Sequence, residues 1–209
     1  MEYDADYYER GIETGRSRYQ NYRWMPESTM SMAMTLIDEL MIEKHHYVLD
    51  YGCAKGFLVK ALRLLHRQAW GVDISEYAIS KVDKETNGYC ATIDTYKRGC
   101  NGFPTKFDIC IAKDVFEHIK QNELALIVRS MPARKMFVVV PLGKGGKYIA
   151  PANDLDPSHV ICEDHWWWKG FFENNGWEVV QMKPIVPGIK DSYRELYPTA
   201  HGFFYLVKK

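Results

Sequence analysis

The 209-residue sequence has no excess of charge of either sign and no apolar run that approaches the length of a membrane span. Lys and Arg together number 27, as do Asp and Glu, so the formal net charge is zero. A chain without a basic excess has no global electrostatic attraction to nucleic acid or to an anionic membrane. We therefore expect neither nucleic acid nor a membrane as a partner.

The sequence also lacks the paired cysteines that a disulfide framework or a zinc site requires. Its cysteines are odd in number, lie at scattered positions and include no C-x-x-C pair, which is typical of a reducing compartment. The N-terminus, from Met1 to Asp4, is polar and acidic and does not resemble a secretory leader. A cytoplasmic protein is expected. The cysteines are Cys53, Cys90, Cys100, Cys110 and Cys162.

Short runs with strand character alternate with helical patterns from residue 28 onward. Such alternation is typical of an α/β fold with right-handed crossovers and a mostly parallel sheet. The last two strands follow one another without a clear helix between them, which predicts an antiparallel hairpin at one edge. Strands are predicted at 47–51, 69–73, 89–92, 107–112, 135–141, 177–182 and 202–207, and helices at 28–41, 57–65, 75–82, 119–128 and 163–174.

The first 25 residues are rich in Tyr, Arg and Glu and show no clear period. Tyr19, Tyr22 and Trp24 are large side chains that a solvated tail seldom carries, so residues 1–25 are expected to form an ordered arm or lid. No linker-like stretch interrupts the chain, and residues 1–209 are predicted to form a single domain.

A turn bounded by glycines, residues 48–56 (V-L-D-Y-G-C-A-K-G), follows the first predicted strand. Glycines there let the backbone approach a ligand, at the edge where open α/β sheets bind ligands. The spacing Gly52-x-x-x-Gly56 does not match the G-x-G-x-x-G of dinucleotide sites. Asp50, just before the first glycine, would repel a pyrophosphate and instead suits a ligand with an ammonium group.

Asp73 ends the second predicted strand, in the segment G-V-D-I-S. In dinucleotide-binding folds a carboxylate about 20 positions beyond the first turn holds the ribose hydroxyls. The alternative is that Asp73 caps the next helix. The presence of Asp50 in the preceding turn favours ribose binding, through charge-assisted hydrogen bonds.

Three segments resemble the successive motifs of class I S-adenosylmethionine-dependent methyltransferases. They are V-L-D-Y-G-C-A-K-G from residue 48, G-V-D-I-S from residue 71 and F-D-I-C-I-A-K-D-V-F-E-H-I from residue 107. The resemblance covers residues 47–177 and is greatest to the small-molecule branch. It implies S-adenosylmethionine as the cofactor and a Rossmann-like three-layer sandwich with a seven-stranded, mostly parallel sheet. The family often has a glycine where this chain has Ala54.

The resemblance also implies which residues contact the cofactor. The first turn would line the methionine part, Asp73 the ribose, and Ile74 with the turn after the third strand the adenine. Residues after the fourth strand would face the methionine part or the substrate. These groups are Asp50, Gly52, Cys53 and Gly56; Asp73 and Ile74; Thr92, Ile93 and Asp94; and Ala112, Lys113 and Asp114.

Two histidines are candidates for catalysis. His118 follows Glu117 after the fourth strand, and His159 lies in D-P-S-H near the end of a long loop, residues 143–160. The resemblance implies that a D-x-x-H of this kind lies on the substrate side, which makes His159 a candidate base or substrate ligand. His118 is a second candidate, because it lies at the mouth after the fourth strand. The alternative is that each histidine caps a helix or holds down a loop. No H-x-x-x-H pattern is present, and no metal is expected.

The predicted function is methyl transfer by in-line displacement to a small polar acceptor, such as a hydroxyl or an amine of a sugar or another metabolite. The alternatives are a non-catalytic domain that binds S-adenosylmethionine and a methyltransferase that acts on a macromolecule. The turn spacing disfavours a nicotinamide oxidoreductase. The expected partner is a small-molecule substrate, and the expected assembly is a monomer or a homodimer.

Overall fold

The computed structural model describes residues 2–100 and 102–209, so Met1, the first residue of the predicted arm, lies outside the described part. The strands in that part are β1 Tyr47–Tyr51, β2 Gln68–Asp73, β3 Cys90–Thr92, β4 Phe107–Lys113, β5 Ala133–Pro141, β6 Gly143–Lys144, β7 Lys147–Tyr148, β8 Trp177–Lys183 and β9 His201–Lys208. Seven of these described strands form one sheet in the order β3-β2-β1-β4-β5-β9-β8.

The helices differ widely in length. The longest, α3, begins with Pro26 at its first turn, where a proline costs no hydrogen bond. Within the same described ranges they are α1 Ala5–Glu9, α2 Gly11–Thr14, α3 Pro26–Leu40, α4 Phe57–Leu64, α5 Glu76–Ser80, α6 Ile93–Lys97, α7 Gln121–Ser130, α8 His165–Asn174 and α9 Asp191–Arg194. None of these described helices is long and apolar enough to cross a membrane.

The chain divides into two compact units, residues 1–110 and 111–209. In the first unit β2 runs parallel to both β1 and β3. The register places Asp50 opposite Gly71 and Asp73 opposite Thr92, so these strands end at the same edge. Leu49 and Leu62 are fully buried between the strands and α4, which anchors that edge to a rigid core.

The N-terminal arm is ordered by aromatic packing and by one buried ammonium group. Tyr8 stacks on Tyr77 of α5, with ring centroids 6.2 Å apart. The Lys55 Nζ donates to Glu9 Oε1 and to the Tyr22 carbonyl, both at 2.5 Å. Since Lys55 lies in the turn after β1, the arm is attached directly to that turn.

In the second unit β9 runs antiparallel to β5 on one side and to β8 on the other. The predicted antiparallel C-terminal hairpin is confirmed, with β8 at the edge of the sheet. Trp168 and Phe172 of α8 are fully buried and stack at 5.7 Å, and Phe172 lies 5.5 Å from Phe204 of β9. This aromatic core holds α8 against the hairpin.

The segment 143–160 carries more structure than the sequence prediction of a long loop. β6 and β7 pair as a two-stranded hairpin, and Pro151–Leu155 forms a 3-10 turn. Gly145 and Gly146 have φ of 62° and 80°, the left-handed backbone that a two-residue hairpin turn requires. The loop that carries His159 is therefore braced from within.

We expect Lys55→Met to loosen the arm while preserving the packing of the side-chain stem. The substitution leaves Glu9 and the Tyr22 carbonyl without their ammonium donor, and the free energy of unfolding should fall by about 1–2 kcal/mol. Urea unfolding and trypsin cleavage within residues 10–18 measure the effect. Arg10→Met, which removes an exposed pair with Asp6, is the control. Equal stability of the two variants would contradict a role for Lys55 in holding the arm.

Candidate active site

The turn between β1 and α4 is tied to the end of β2 by its own backbone. The Gly52 and Cys53 N–H groups both donate to the Val72 carbonyl, at 2.8 and 3.1 Å. Gly56 has φ of 72°, and a Cβ there would lie 2.7 Å from the Cys90 sulfur. A glycine is therefore required at this position by both conformation and space.

Ala54, the departure from the family pattern, adopts the backbone that a glycine would take. Its φ is 49°, in the left-handed region, which costs an L-residue about 1–2 kcal/mol. The Ala54 N–H donates to Asp73 Oδ2 at 2.7 Å, and this charge-assisted bond offsets the strain. The turn keeps its shape although it lacks the middle glycine.

The Asp73 carboxylate is buried and accepts two backbone N–H groups. Oδ2 accepts from Ala54, and Oδ1 accepts from Ser75 at 2.8 Å. Burial raises the pKa of Asp73, and the N–H groups of Ser75, Ala54 and Ile74 oppose that rise. The side chain that caps α5 is the Ser75 hydroxyl, which accepts from the Ala78 N–H. The alternative that Asp73 caps this helix is therefore wrong. Asp73 instead joins two strand ends and retains lone pairs for further donors.

The other predicted residues of the first unit differ in exposure. Asp50 is buried at the end of β1, whereas Ile74 is 68% exposed. Ile93 is half-buried and Asp94 exposed, in the first turn of α6, whose cap is the Thr92 hydroxyl. The sequence predicted a turn here and not a helix.

Cys53 is a buried thiol that packs against a glycine. A Cβ added at Gly71 would lie 2.7 Å from the Cys53 sulfur, so the strand must have glycine there. Burial and the neighbouring Cys90 raise the pKa of Cys53 well above its usual range. The thiol stays protonated and is not an activated nucleophile.

In the second unit, the residues after β4 form an ion-pair cluster. The Lys113 and Lys190 ammonium groups both lie 2.6 Å from Asp114 Oδ2. Burial would raise the pKa of Asp114, but the two cations hold it well below its usual range. The Asp114 carboxylate is therefore fully charged and neutralised by lysines.

His118 and His159 are brought together from distant parts of the sequence. Their rings lie 4.7 Å apart, edge to face, and the Tyr148 ring lies 5.1 Å from His159. The Val160 and Ile161 N–H groups donate to the Glu117 carbonyl at 2.8 and 3.1 Å, which joins the two segments. The backbone thus holds both imidazoles beside Glu117.

The hydrogen bonds around the two imidazoles determine which nitrogen carries the proton. His159 Nδ1 lies 2.9 Å from the Asn153 carbonyl, which can only accept, so Nδ1 donates. Ser158 Oγ donates to Asp156 and lies 2.8 Å from His118 Nδ1, so it accepts from His118. Both rings therefore carry the proton on Nδ1 and the lone pair on Nε2.

Burial disfavours charge on all three side chains of this cluster. It lowers the pKa of His118 to about 4, with His159 adding to the effect, and it also lowers the pKa of His159. Burial raises the pKa of Glu117 well above its usual range, and Asp114 raises it further. Two neutral imidazoles next to a buried carboxyl group are able to accept protons or to bind a cation.

A family model described as a methyltransferase domain matches residues 22–134 of this chain. The chain belongs to this methyltransferase family. The resemblance found in the sequence is thereby confirmed. No protein with a curated function matches the chain.

Solved structures of methyltransferases share the fold of this methyltransferase at low sequence identity. A S-adenosylmethionine-dependent methyltransferase from Archaeoglobus fulgidus is 17% identical, with a TM-score of 0.62 over 87% of this chain and 94% of that one. Magnesium protoporphyrin IX methyltransferase from Synechocystis PCC 6803, with bound S-adenosylhomocysteine, is 15% identical, with a TM-score of 0.60 over 96% and 86%. A third similar structure is the Haloferax volcanii complex of the Trm112 methyltransferase activator and a methyltransferase. It is 14% identical, with a TM-score of 0.64 over 88% of this chain and 91% of that one.

The sequence predicted only part of what surrounds the methyltransferase's histidines. Lys190 and His201 come from loop and strand ends late in the chain, and no pattern in the sequence linked them to Asp114. Asp156 and Ser158 are part of the D-P-S-H segment, but the histidine that Ser158 contacts is His118, from a distant segment, which the sequence did not indicate.

We expect His201 to make the folded protein sensitive to acid. Burial and the Lys190 ammonium lower its pKa to about 4, with Lys113 adding to the effect and Asp114 opposing it. The unfolded chain binds this proton near pH 6.5, so stability is complete above that pH and falls as the pH drops towards 4. His201→Gln should reduce the loss of unfolding free energy between pH 7.5 and 5 by about 2 kcal/mol.

Urea unfolding at the two pH values measures this difference. His45→Gln, at an exposed histidine, is the matched control and should retain the full loss. An equal loss in His201→Gln and in the parent protein would contradict the assignment.

Proposed function

We propose that this methyltransferase transfers the methyl group of S-adenosylmethionine to a hydroxyl or an amine of a small polar acceptor. The observation that carries the acceptor assignment is the pair of neutral imidazoles, His118 and His159, with lone pairs on Nε2. Groups of this kind are useful where an acceptor has to lose a proton, and methyl transfer to a hydroxyl or an ammonium is such a case.

The first unit supplies the donor side in this proposal. The turn with Asp50, Gly52, Cys53 and Gly56 receives the methionine part. Asp73 receives the ribose hydroxyls, because its two oxygens retain lone pairs beyond the two backbone bonds.

The remaining cofactor contacts in the proposal are apolar or charged. Ile74, which is largely exposed at the end of β2, offers an apolar surface for the adenine, with Ile93 and Asp94 at the next strand end. Lys113 and Asp114 face the methionine part or the substrate.

The reaction is a single displacement in which atoms and charge balance. The acceptor oxygen or nitrogen forms a bond to the methyl carbon as the carbon–sulfur bond breaks. The electron pair of that bond returns to sulfur, which leaves neutral S-adenosylhomocysteine. The acceptor proton passes to an imidazole or to water. Alignment of the two reactants and exclusion of water supply most of the acceleration.

Several expectations from the sequence remain part of this proposal. They are the small-molecule partner, the monomer or homodimer, the arm as a lid and the reducing, cytoplasmic location. The contact between the arm and the turn supports the proposal of a lid, since Lys55 of the turn donates to both Glu9 and Tyr22 of the arm. The methyltransferases of similar structure do not point to one class of acceptor. The proposed acceptor class therefore rests on the histidine pair.

Asp73→Ala should raise the dissociation constant of S-adenosylhomocysteine at least tenfold, because two charge-assisted hydrogen bonds to the ribose are lost. Isothermal calorimetry measures the constant. Asp108→Ala is the matched control. Asp108 also accepts a backbone N–H, from Tyr47 at 2.9 Å, but it lies where β1 and β4 begin and not at the carboxyl ends of the strands. Similar affinities in both variants would remove Asp73 from the ribose site.

His159→Asn should lower kcat about 100-fold with little change in S-adenosylhomocysteine affinity, because it removes a group that handles the acceptor. The assay measures release of S-adenosylhomocysteine with a panel of hydroxyl- and amine-bearing metabolites. His165→Asn, at another half-buried histidine, is the control. Tight cofactor binding with no turnover on any acceptor would favour the non-catalytic alternative.

A further inference from the structure

We propose that Glu117, His118 and His159 form a binding site for one divalent transition-metal cation, of the kind represented by Zn²⁺ or Co²⁺. The sequence predicts no metal, because the three ligands do not fall into a recognised spacing. The site forms only through the fold, which brings a loop residue next to the E-H pair that follows β4.

The ligand atoms of the three side chains lie close to the separation that a bound cation requires. One ligand atom from each residue lies within 4.8 Å of the other two. Nitrogen and oxygen ligands bind zinc at about 2.0–2.2 Å, so two ligand atoms on one cation lie at most about 4.4 Å apart. A movement of a few tenths of an ångström completes the site.

Glu117 provides a second and independent observation. Its side chain is 1% exposed, and its Oε2 has no hydrogen-bond partner among the described residues. Buried polar atoms in folded proteins are nearly always paired, because an unpaired one costs about 1–3 kcal/mol. A cation next to Oε2 would remove this cost, and none of the described neighbours does so.

The groups that accept the Nδ1 hydrogens of the two histidines are of the kind that orients metal-binding imidazoles in other proteins. A ligating imidazole usually donates its other N–H to a carbonyl or a carboxylate, which orients the ring. His159 donates to the Asn153 carbonyl, and His118 donates to Ser158, which in turn donates to Asp156. Each Nε2 lone pair therefore belongs to a ring whose orientation is fixed.

Asp114 is not a ligand in this site, although it lies three residues before Glu117. Its Oδ2 is bound by both Lys113 and Lys190. The cation therefore meets one carboxylate and two imidazoles, a set that suits zinc, iron and cobalt better than magnesium or calcium. Three protein ligands leave at least one coordination position open.

The role of the cation rests on the proposed function. A bound cation would polarise the acceptor oxygen and lower the pKa of its hydroxyl, with the proton released to water. The two imidazoles would then act as ligands and not as bases. The preferred acceptor is in that case an oxygen-bearing compound that reaches the open coordination position.

Cation binding is measured on the full chain after treatment with a chelator. Titration with ZnCl₂ by calorimetry, and with CoCl₂ by visible absorption, should show one equivalent bound. Glu117→Gln and His159→Asn should each weaken binding at least tenfold. Ser158→Ala, which removes the hydroxyl between His118 and Asp156 and leaves all three ligands in place, should weaken it to a smaller extent.

The matched control is the double variant His45→Asn/His46→Asn. These two histidines have ring centroids 4.5 Å apart beside Glu43 and could bind a cation adventitiously. The double variant should retain the full equivalent. Binding that is lost in the double variant and kept in Glu117→Gln would overturn the proposal, as would the absence of binding to the parent protein.

Thermal unfolding of each variant without cation shows whether it is folded. If Glu117→Gln does not fold, His159→Asn and Ser158→Ala decide the question by the same criterion. Full methyl transfer by chelator-treated protein would overturn the catalytic role of the cation while the proposed function stands. One equivalent of cation bound with no turnover on any acceptor would confirm the site and count against the proposed function.

Discussion

The end of β2 supplies the hydrogen-bond acceptors that hold the turn after β1 and the start of α5. The Val72 carbonyl accepts from Gly52 and Cys53, and the next residue, Asp73, accepts from Ala54 and Ser75. Four backbone N–H groups thus depend on two acceptor residues at one strand end. Because these bonds are buried or half-buried, loss of either acceptor would leave unpaired N–H groups in the turn.

The second unit uses the same principle with a different acceptor. The Glu117 carbonyl accepts from Val160 and Ile161, and this pair of bonds brings His159 to His118. The side chain of Glu117 is left to face the imidazoles, so one residue joins the two segments through its backbone and completes the cluster through its carboxyl group. The chemistry of the cluster therefore follows from a local backbone attachment.

Much of the fold could be predicted because its signals are local. Periodicity located the seven sheet strands to within a few residues. The lack of a clear helical pattern between the last two predicted their antiparallel pairing, and the structure has only the four-residue α9 between them. Gly145-Gly146 was an unused signal for the β6–β7 hairpin. Contacts such as Lys190 with Asp114, or Ser158 with His118, depend on distant segments meeting in space, and sequence spacing carries no information about them. Ala54 shows the opposite case, in which an unfavourable residue is accommodated by the bond to Asp73.

The two carboxylates after β4 differ in a way that stability alone does not explain. Asp114 adopts a φ of 56°, which is unfavourable for an L-residue. Its charge is compensated by the two lysines that contact Oδ2. Glu117 is more deeply buried, and its Oε2 has no hydrogen-bond partner in the part of the chain that the structure describes. An apolar side chain of similar size would avoid the cost of that oxygen. Asp114 is thus fully paired by cations, whereas Glu117 has a carboxyl oxygen that no described group satisfies, and this difference is what the proposed cation site accounts for.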